Sequence, residues 1–254
     1  MKIVRFRNGD DIAYGLADAD GVTLYRGTPF VAWEPTETVI GWETVELISP
    51  VLPSKVVAVN GNYVDDAGEI RGPLEEEPTL FMKPATSVIG PGAPVVYPGD
   101  LSEDVHQAAG LAVVIGRLAK NVPAEEASQY VFGYTAANDL TARDLQERDG
   151  QWTRAKGFDT FCPLGPAIET ELDPLERLAV IGRVDGEVRQ AGFTSDMVFG
   201  VAEILEFVTS VMTLLPGDVI LTGTPTGAGS VLPGQTMDVE IDGIGLLYNP
   251  VVGR

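Results

Sequence analysis

The sequence predicts an α+β protein rich in β-strand, with a partly barrel-like core and a small N-terminal β domain. Three observations predict it. Short strand-like runs separated by turn residues fill most of the 254 positions. Only two segments carry clear helical signals. A pair of prolines, Pro50 and Pro53, interrupts the chain where the pattern changes. These divide the chain into residues 1–52 and 53–254.

In the first part, Lys2 to Phe6, Ile12 to Leu16 and Val22 to Tyr25 read as strands. They are separated by Asn8-Gly9-Asp10 and by the turn ending at Gly21. In the second, Leu111 to Gly116 is a continuous apolar run suited to a buried strand. Pro123 to Tyr134 carries a helical signal, with proline in the first turn and Glu125 and Glu126 at the electropositive end. Val201, Ile204, Leu205, Val208 and Met212 recur at helical spacing, giving an amphipathic helix over 201–212. Asp218 to Leu221 and Met237 to Ile241 are strands, each announced by Pro-Gly. Residues 62–77 are polar and charged, and form either a solvated loop or a cover over a site.

Composition narrows the function. With 17 basic and 37 acidic residues, the net charge is −20, which repels a phosphate backbone and argues against a nucleic-acid partner. No run approaches the ~18 apolar residues of a membrane span. The opening residues lack the pattern of a secretory leader. Cys162 is the sole cysteine, so no internal disulfide forms, and a cytoplasmic location is expected.

The densest chemistry lies between Gly133 and Pro166, where Asp139, Arg143, Asp144, Gln146, Arg154, Lys156 and Asp159 fall among glycines and aromatics. Strand-like pieces and tight turns are expected to gather them at one end of the barrel. Charged groups held among aromatics must pair or bind something.

The segments NDLTARDLQ (138–146), QWTRAKGFDTFCPLGP (151–166), LLPGDVILTGTPTGAG (214–229) and IDGIGLLYNPV (241–251) resemble the fumarylacetoacetate hydrolase superfamily. So do SKVVAVN with GNY (54–63) and FMKPATSVIGPG (81–92). The resemblance runs from about residue 50 to the end, in order. It implies a mixed β-barrel or β-roll core, a homodimer, and cleavage, decarboxylation, hydration or isomerisation of small 2-oxo acids and 1,3-dicarbonyl compounds. Most such enzymes use Mg²⁺ or Mn²⁺ held by a Glu-x-Glu pair and a third carboxylate, because a hard cation wants anionic oxygens.

Here the sequence departs from that pattern. The Glu-x-Glu positions fall on Ala108 and Gly110, leaving Asp139 alone, and Glu103 and Asp104 stand four or more residues away. A His-x-x-Glu dyad expected after the Asn-Tyr motif is replaced by Asp66 and Glu69, and a basic residue before Asn62 by Gly61. No metal cofactor is therefore expected, Mg²⁺ or Mn²⁺ entering only if shifted ligands serve. Restoring Glu at 108 and 110 should then create a metal site.

The resemblance maps Arg143, Gln146, Lys156 and Thr224 onto residues that bind a substrate carboxylate or oxo group, and Lys83 onto a strand-edge lysine that supports packing or joins substrate binding. Asp139, Lys156, Glu69 and Asp66 become the candidates for acid–base work. His106 reads as a surface or supporting residue and Cys162 as a small buried hydrophobe. The expected function is a metal-independent isomerase, C–C lyase or cyclase acting on an enolisable small molecule, as in a tailoring step of specialised metabolism. The alternatives are a metal-dependent hydrolase or decarboxylase, and a non-catalytic partner protein.

Overall fold

A computed structural model describes residues 1–64, 76–174 and 176–254. The candidates Asp66 and Glu69, and most of the polar segment 62–77, lie outside the described residues.

The largest sheet has twelve strands. Its path begins with Ala32–Ile40, Val22–Thr28, Asp11–Ala17 and Lys2–Asn8. It continues through Cys162–Glu169, Val131–Asn138, Ala109–Ile115, Val219–Leu221 and Val56–Asn60, and ends at Thr79–Lys83. The four N-terminal strands thus enter the same sheet as the core, through Lys2 opposite Glu169 and Ile3 opposite Ile168. A five-stranded sheet runs Glu187–Phe193, Ala179–Val184, Thr236–Ile241, Gly245–Gly253 and Val95–Tyr97. A small third sheet joins Thr141–Ala142, Val105–Gln107 and Gly229–Ser230. Among the described residues the long path runs from edge to edge without closing, so the core is a rolled assembly of open sheets.

Ala109–Ile115 is buried at every position, as its unbroken apolar sequence requires of a strand covered on both faces. One face joins Ile204, Leu205 and Val208 of the helix Val201–Val211 in the main core, while Ala112 and Val114 pack with Val56, Leu164 and Val219. A clamp fixes the start of the second part of the chain. The fully buried Asp218 carboxylate accepts from the Ser54 and Lys55 amides, the Ser54 hydroxyl, the Leu215 amide and Lys55 Nζ.

Two expectations are corrected. The helix expected over 123–134 is a 3-10 helix at Ala124–Gln129, followed at once by the strand Val131–Asn138. Proline and the two glutamates do start a helical turn, but Tyr130, Val131 and Tyr134 find more burial in the sheet side of the core. Conversely, the motif 133–166 contains two short helices, Arg143–Asp149 and Thr153–Lys156, where strand-like pieces and turns were expected. Leu145 and Ala155 are their buried anchors, and Gly150, in the left-handed region at φ 64°, ends the first.

Candidate active site

The site forms where the strand Ala109–Ile115 begins. Its neighbour Val131–Asn138 ends on one side, and the Asp139 amide donates to the Ala108 carbonyl at 2.9 Å. The Asn138 side chain returns the link, its Oδ1 accepting from the Ala108 amide at 2.9 Å. On the other side the strand Val219–Leu221 runs out into Thr222, Gly223 and Thr224. Asp139 and Thr224 therefore flank the same short stretch, Ala108 to Gly110, from opposite sides.

Asp139 stands between two lysines. Lys156 Nζ, at the end of its short helix, donates to Asp139 Oδ2 at 2.5 Å. Lys83 Nζ, at the end of the edge strand Thr79–Lys83, lies 2.8 Å from Oδ1 but directs its hydrogen bond to the Leu140 carbonyl at 3.0 Å. Oδ1 is thus ion-paired yet has no well-directed hydrogen bond. Burial works to raise the Asp139 pKa, and the two neighbouring ammonium groups outweigh it, holding the carboxyl below its ordinary value. Lys156 moves the other way. Burial, helped by the nearby charges of Lys83 and Arg143, overrides the attraction of Asp139 and lowers its pKa to about 8.

The Lys83 side chain has no exposed surface, whereas 7% of Lys156 remains accessible. Lys83 was expected to touch substrate; the structure buries it completely, paired with Asp139. Arg143 and Gln146 share one turn of helix, with Arg143 Nη1 donating to Gln146 Oε1 at 2.7 Å. The phenyl ring of Phe81 has Lys156 Nζ 4.5 Å from its centroid and Trp152 edge-on at 5.5 Å. Both aromatics line an open cavity of about 420 Å³, together with Thr79, Met82, Gln151 and Thr153.

The lone histidine, His106, one-quarter exposed, pairs through Nε2 with Asp104 Oδ1 at 2.8 Å. Cys162 is completely buried, and burial pushes its thiol up to about 12, so it is the inert hydrophobe the sequence suggested. Asn62 anchors the entry to the polar segment, donating to the Phe199 and Thr222 carbonyls and accepting from the Phe199 amide.

The residues present do not fit a divalent cation. Ala108 and Gly110 offer no side-chain oxygen, and Asp139 is already engaged by two cations. Among the described residues no three His, Cys, Asp or Glu side chains cluster as a metal site would need. The backbone has also moved into the space. A Cβ on Gly110 would meet the Gly223 carbonyl oxygen at 2.2 Å, and Gly223 itself adopts φ +104°, a conformation that favours glycine. The expectation that glutamates at 108 and 110 would restore a site is corrected here, because position 110 has no room for a side chain.

Sequence reasoning missed Gln107 and Gln190. Both are buried, and Gln190 Oε1 accepts from Gln107 Nε2 at 3.0 Å and from the Ala109 amide at 2.9 Å. Gln190 is the one buried residue within Glu187–Ala191 of an otherwise exposed strand. A polar residue on the inward beat of a strand was the only available signal.

Residues 55–252 match the model of the fumarylacetoacetate (FAA) hydrolase C-terminal domain, and residues 1–50 match a model described as Rv2993c-like, N-terminal. The chain belongs to the fumarylacetoacetate hydrolase family. The human mitochondrial oxaloacetate tautomerase FAHD2B is 43% identical over 227 residues, covering 84% of this chain and 72% of its own. The crystal structure of 5-carboxymethyl-2-hydroxymuconate delta-isomerase from Mycobacterium smegmatis superposes with a TM-score of 0.94 at 43% identity, over 100% of both chains. A maleylpyruvate hydrolase from Sphingobium sp. SYK-6, in complex with manganese(II) and pyruvate, superposes at 0.81 with 28% identity, over 100% of this chain and 99% of that one. The family fold thus serves both isomerases and hydrolases. No helix among the described residues is long and apolar enough to cross a membrane.

Proposed function

We propose that this protein is a metal-independent isomerase that moves a proton between carbon and oxygen of an enolisable 2-oxo dicarboxylate. The observation that carries the reading is the buried Lys83–Asp139–Lys156 cluster beside the positions where carboxylate ligands would be needed. A developing enolate needs positive charge at its oxygen, and a preorganised ammonium in a site that excludes water supplies it. The names of the tautomerase and isomerase relatives support the reaction class and the dicarboxylate.

Lys156 is the proton carrier. With a pKa of about 8, about a tenth of it is free amine at pH 7, far more than for an ordinary lysine. The amine takes the proton from the carbon beside the carbonyl, and the resulting ammonium returns it to the oxygen, so protons balance over the cycle. Asp139, held below its ordinary pKa, is too weak a base for that step and instead aims Lys156. Lys83 neutralises Asp139. Arg143 supplies a fork for a substrate carboxylate, with Gln146 fixing its pose. C–C lyase and cyclase chemistry would pass through the same enolate and are separated from isomerisation by their products. A homodimer in the cytoplasm remains the expected setting.

The test follows decay of enol ultraviolet absorbance after a four-carbon 2-oxo dicarboxylate is dissolved as its enol. Acceleration should survive EDTA and should fall by roughly 100-fold or more in Lys156→Met. Loss of activity on chelation and its return with stoichiometric Mn²⁺ would establish the metal-dependent hydrolase or decarboxylase reading instead. Full activity in Lys156→Met would remove the lysine from the mechanism.

A further inference from the structure

The hydrogen bonds around Thr224 fix which way that hydroxyl can speak to a ligand. A threonine hydroxyl has one hydrogen to donate and two lone pairs to accept with. Thr224 Oγ1 lies 2.7 Å from the Ala109 carbonyl oxygen, which only accepts, so the hydrogen is committed there. Its one alternative, the Pro225 carbonyl at 3.4 Å, is also a pure acceptor. A lone pair is taken in turn by Gln190 Nε2 at 2.7 Å.

The direction of that amide is settled by its other end. Gln190 Oε1 takes the Ala109 backbone N–H, which only donates, so the amide oxygen must face Ala109. The NH₂ must then face Thr224 and the Pro225 carbonyl, the latter at 2.8 Å. Gln190 is 1% exposed and cannot exchange these partners for water. Turning the Thr224 hydrogen outward would strand the carbonyl of the fully buried Ala109, which interiors avoid. One lone pair is what Thr224 has left.

We infer that Thr224 recognises substrate by accepting a hydrogen bond from an enol or alcohol O–H, its own hydrogen being held by the Ala109 carbonyl. The inference rests on the enolisable-substrate reading above and names which tautomer the site favours. In a 2-oxo dicarboxylate at neutral pH the keto oxygen and both carboxylates are acceptors, so none suits Thr224. Only the enol presents a donor. The expectation that Thr224 binds a carboxylate or oxo group is therefore reversed. The placement agrees: Thr224 and Asp139 flank one strand, so their backbones stand about two strand spacings apart, roughly 10 Å, a gap for one small ligand between them.

The experiment measures binding by calorimetry, without turnover, using (S)-malate and 2-fluorosuccinate. The two are similar in size, but fluorine cannot donate. Wild-type protein should prefer malate by about five- to tenfold, the worth of one hydrogen bond. The preference should vanish in Thr224→Val and survive in Thr224→Ser. An unchanged ratio in Thr224→Val refutes the whole inference, while loss of tautomerisation in Lys156→Met would leave the functional reading standing. Failure of both ligands to bind wild-type protein removes the inference and the dicarboxylate together. A crystal structure with malate gives a check that needs no variant: its hydroxyl oxygen must lie within hydrogen-bond distance of Thr224 Oγ1.

Discussion

Asp139→Asn exchanges a carboxylate for a neutral amide of the same shape between two ammonium groups. In the native protein Lys156 is 2.5 Å from one carboxylate oxygen and Lys83 2.8 Å from the other, and all three side chains are largely or wholly buried. Removing one partner of a buried pair leaves charge without compensation and costs about 3–5 kcal/mol. At roughly 2–4 °C per kcal/mol for a protein of this size, Tm at pH 7 should fall by about 6–20 °C.

The loss should depend on pH with a definite sign. A lysine whose folded pKa lies below its unfolded value binds fewer protons folded than unfolded, so stability rises with pH between the two values. Wild-type Lys156, at about 8 against an ordinary 10.5, already does this from about pH 8 upward. Without Asp139 its pKa drops further, and the rise begins at lower pH. Thermal denaturation of both proteins across pH 6 to 10 checks it. The gap between them should narrow as pH climbs and Lys156 sheds its proton. A variant as stable as wild type at pH 7, or a gap that widens with pH, would refute the account of this cluster.

Three further variants have defined outcomes. Gly110→Ala should destabilise by about 1–3 kcal/mol in urea denaturation, because its methyl meets the Gly223 carbonyl; the Ala108→Glu/Gly110→Glu double variant should show no stoichiometric Mg²⁺ uptake by calorimetry. Asp218→Ala should cost about 3 kcal/mol or more in the same assay, since it unpairs Lys55 and removes the acceptor of four further donors, the Ser54, Lys55 and Leu215 amides and the Ser54 hydroxyl. The Asp218 carboxyl is held below its ordinary pKa by Lys55 and Ser54 against the effect of burial, so this part of the stability is present above about pH 4 and is lost as acid protonates the folded group.

Much of the architecture was readable because it is written in local patterns. The apolar run at 111–116 had to be a buried strand, and the spacing over 201–212 had to be a helix. The missing ligand oxygens at 108 and 110 were equally plain, since side-chain chemistry is explicit in a sequence. Tertiary burial was not. The segment 130–138 surrendered its helical start to sheet pairing, and Arg143–Asp149 became helical on one buried leucine. The Gly223 carbonyl over Gly110 and the amide chain from Gln107 through Gln190 to Thr224 join residues 34 to 115 positions apart, and no local pattern encodes them.

The seam between Lys2–Asn8 and Cys162–Glu169 bears on how the chain tolerates cutting. A module hung on a tether can be trimmed without harm, but here the leading fifty residues complete a hydrogen-bonded row. Cleaving near Leu52 would bare the backbone of Ile168 and Glu169 along with apolar Ala167, a template for unwanted strand addition between molecules. The shortened protein should therefore precipitate or self-associate even though every group that meets substrate is still on it.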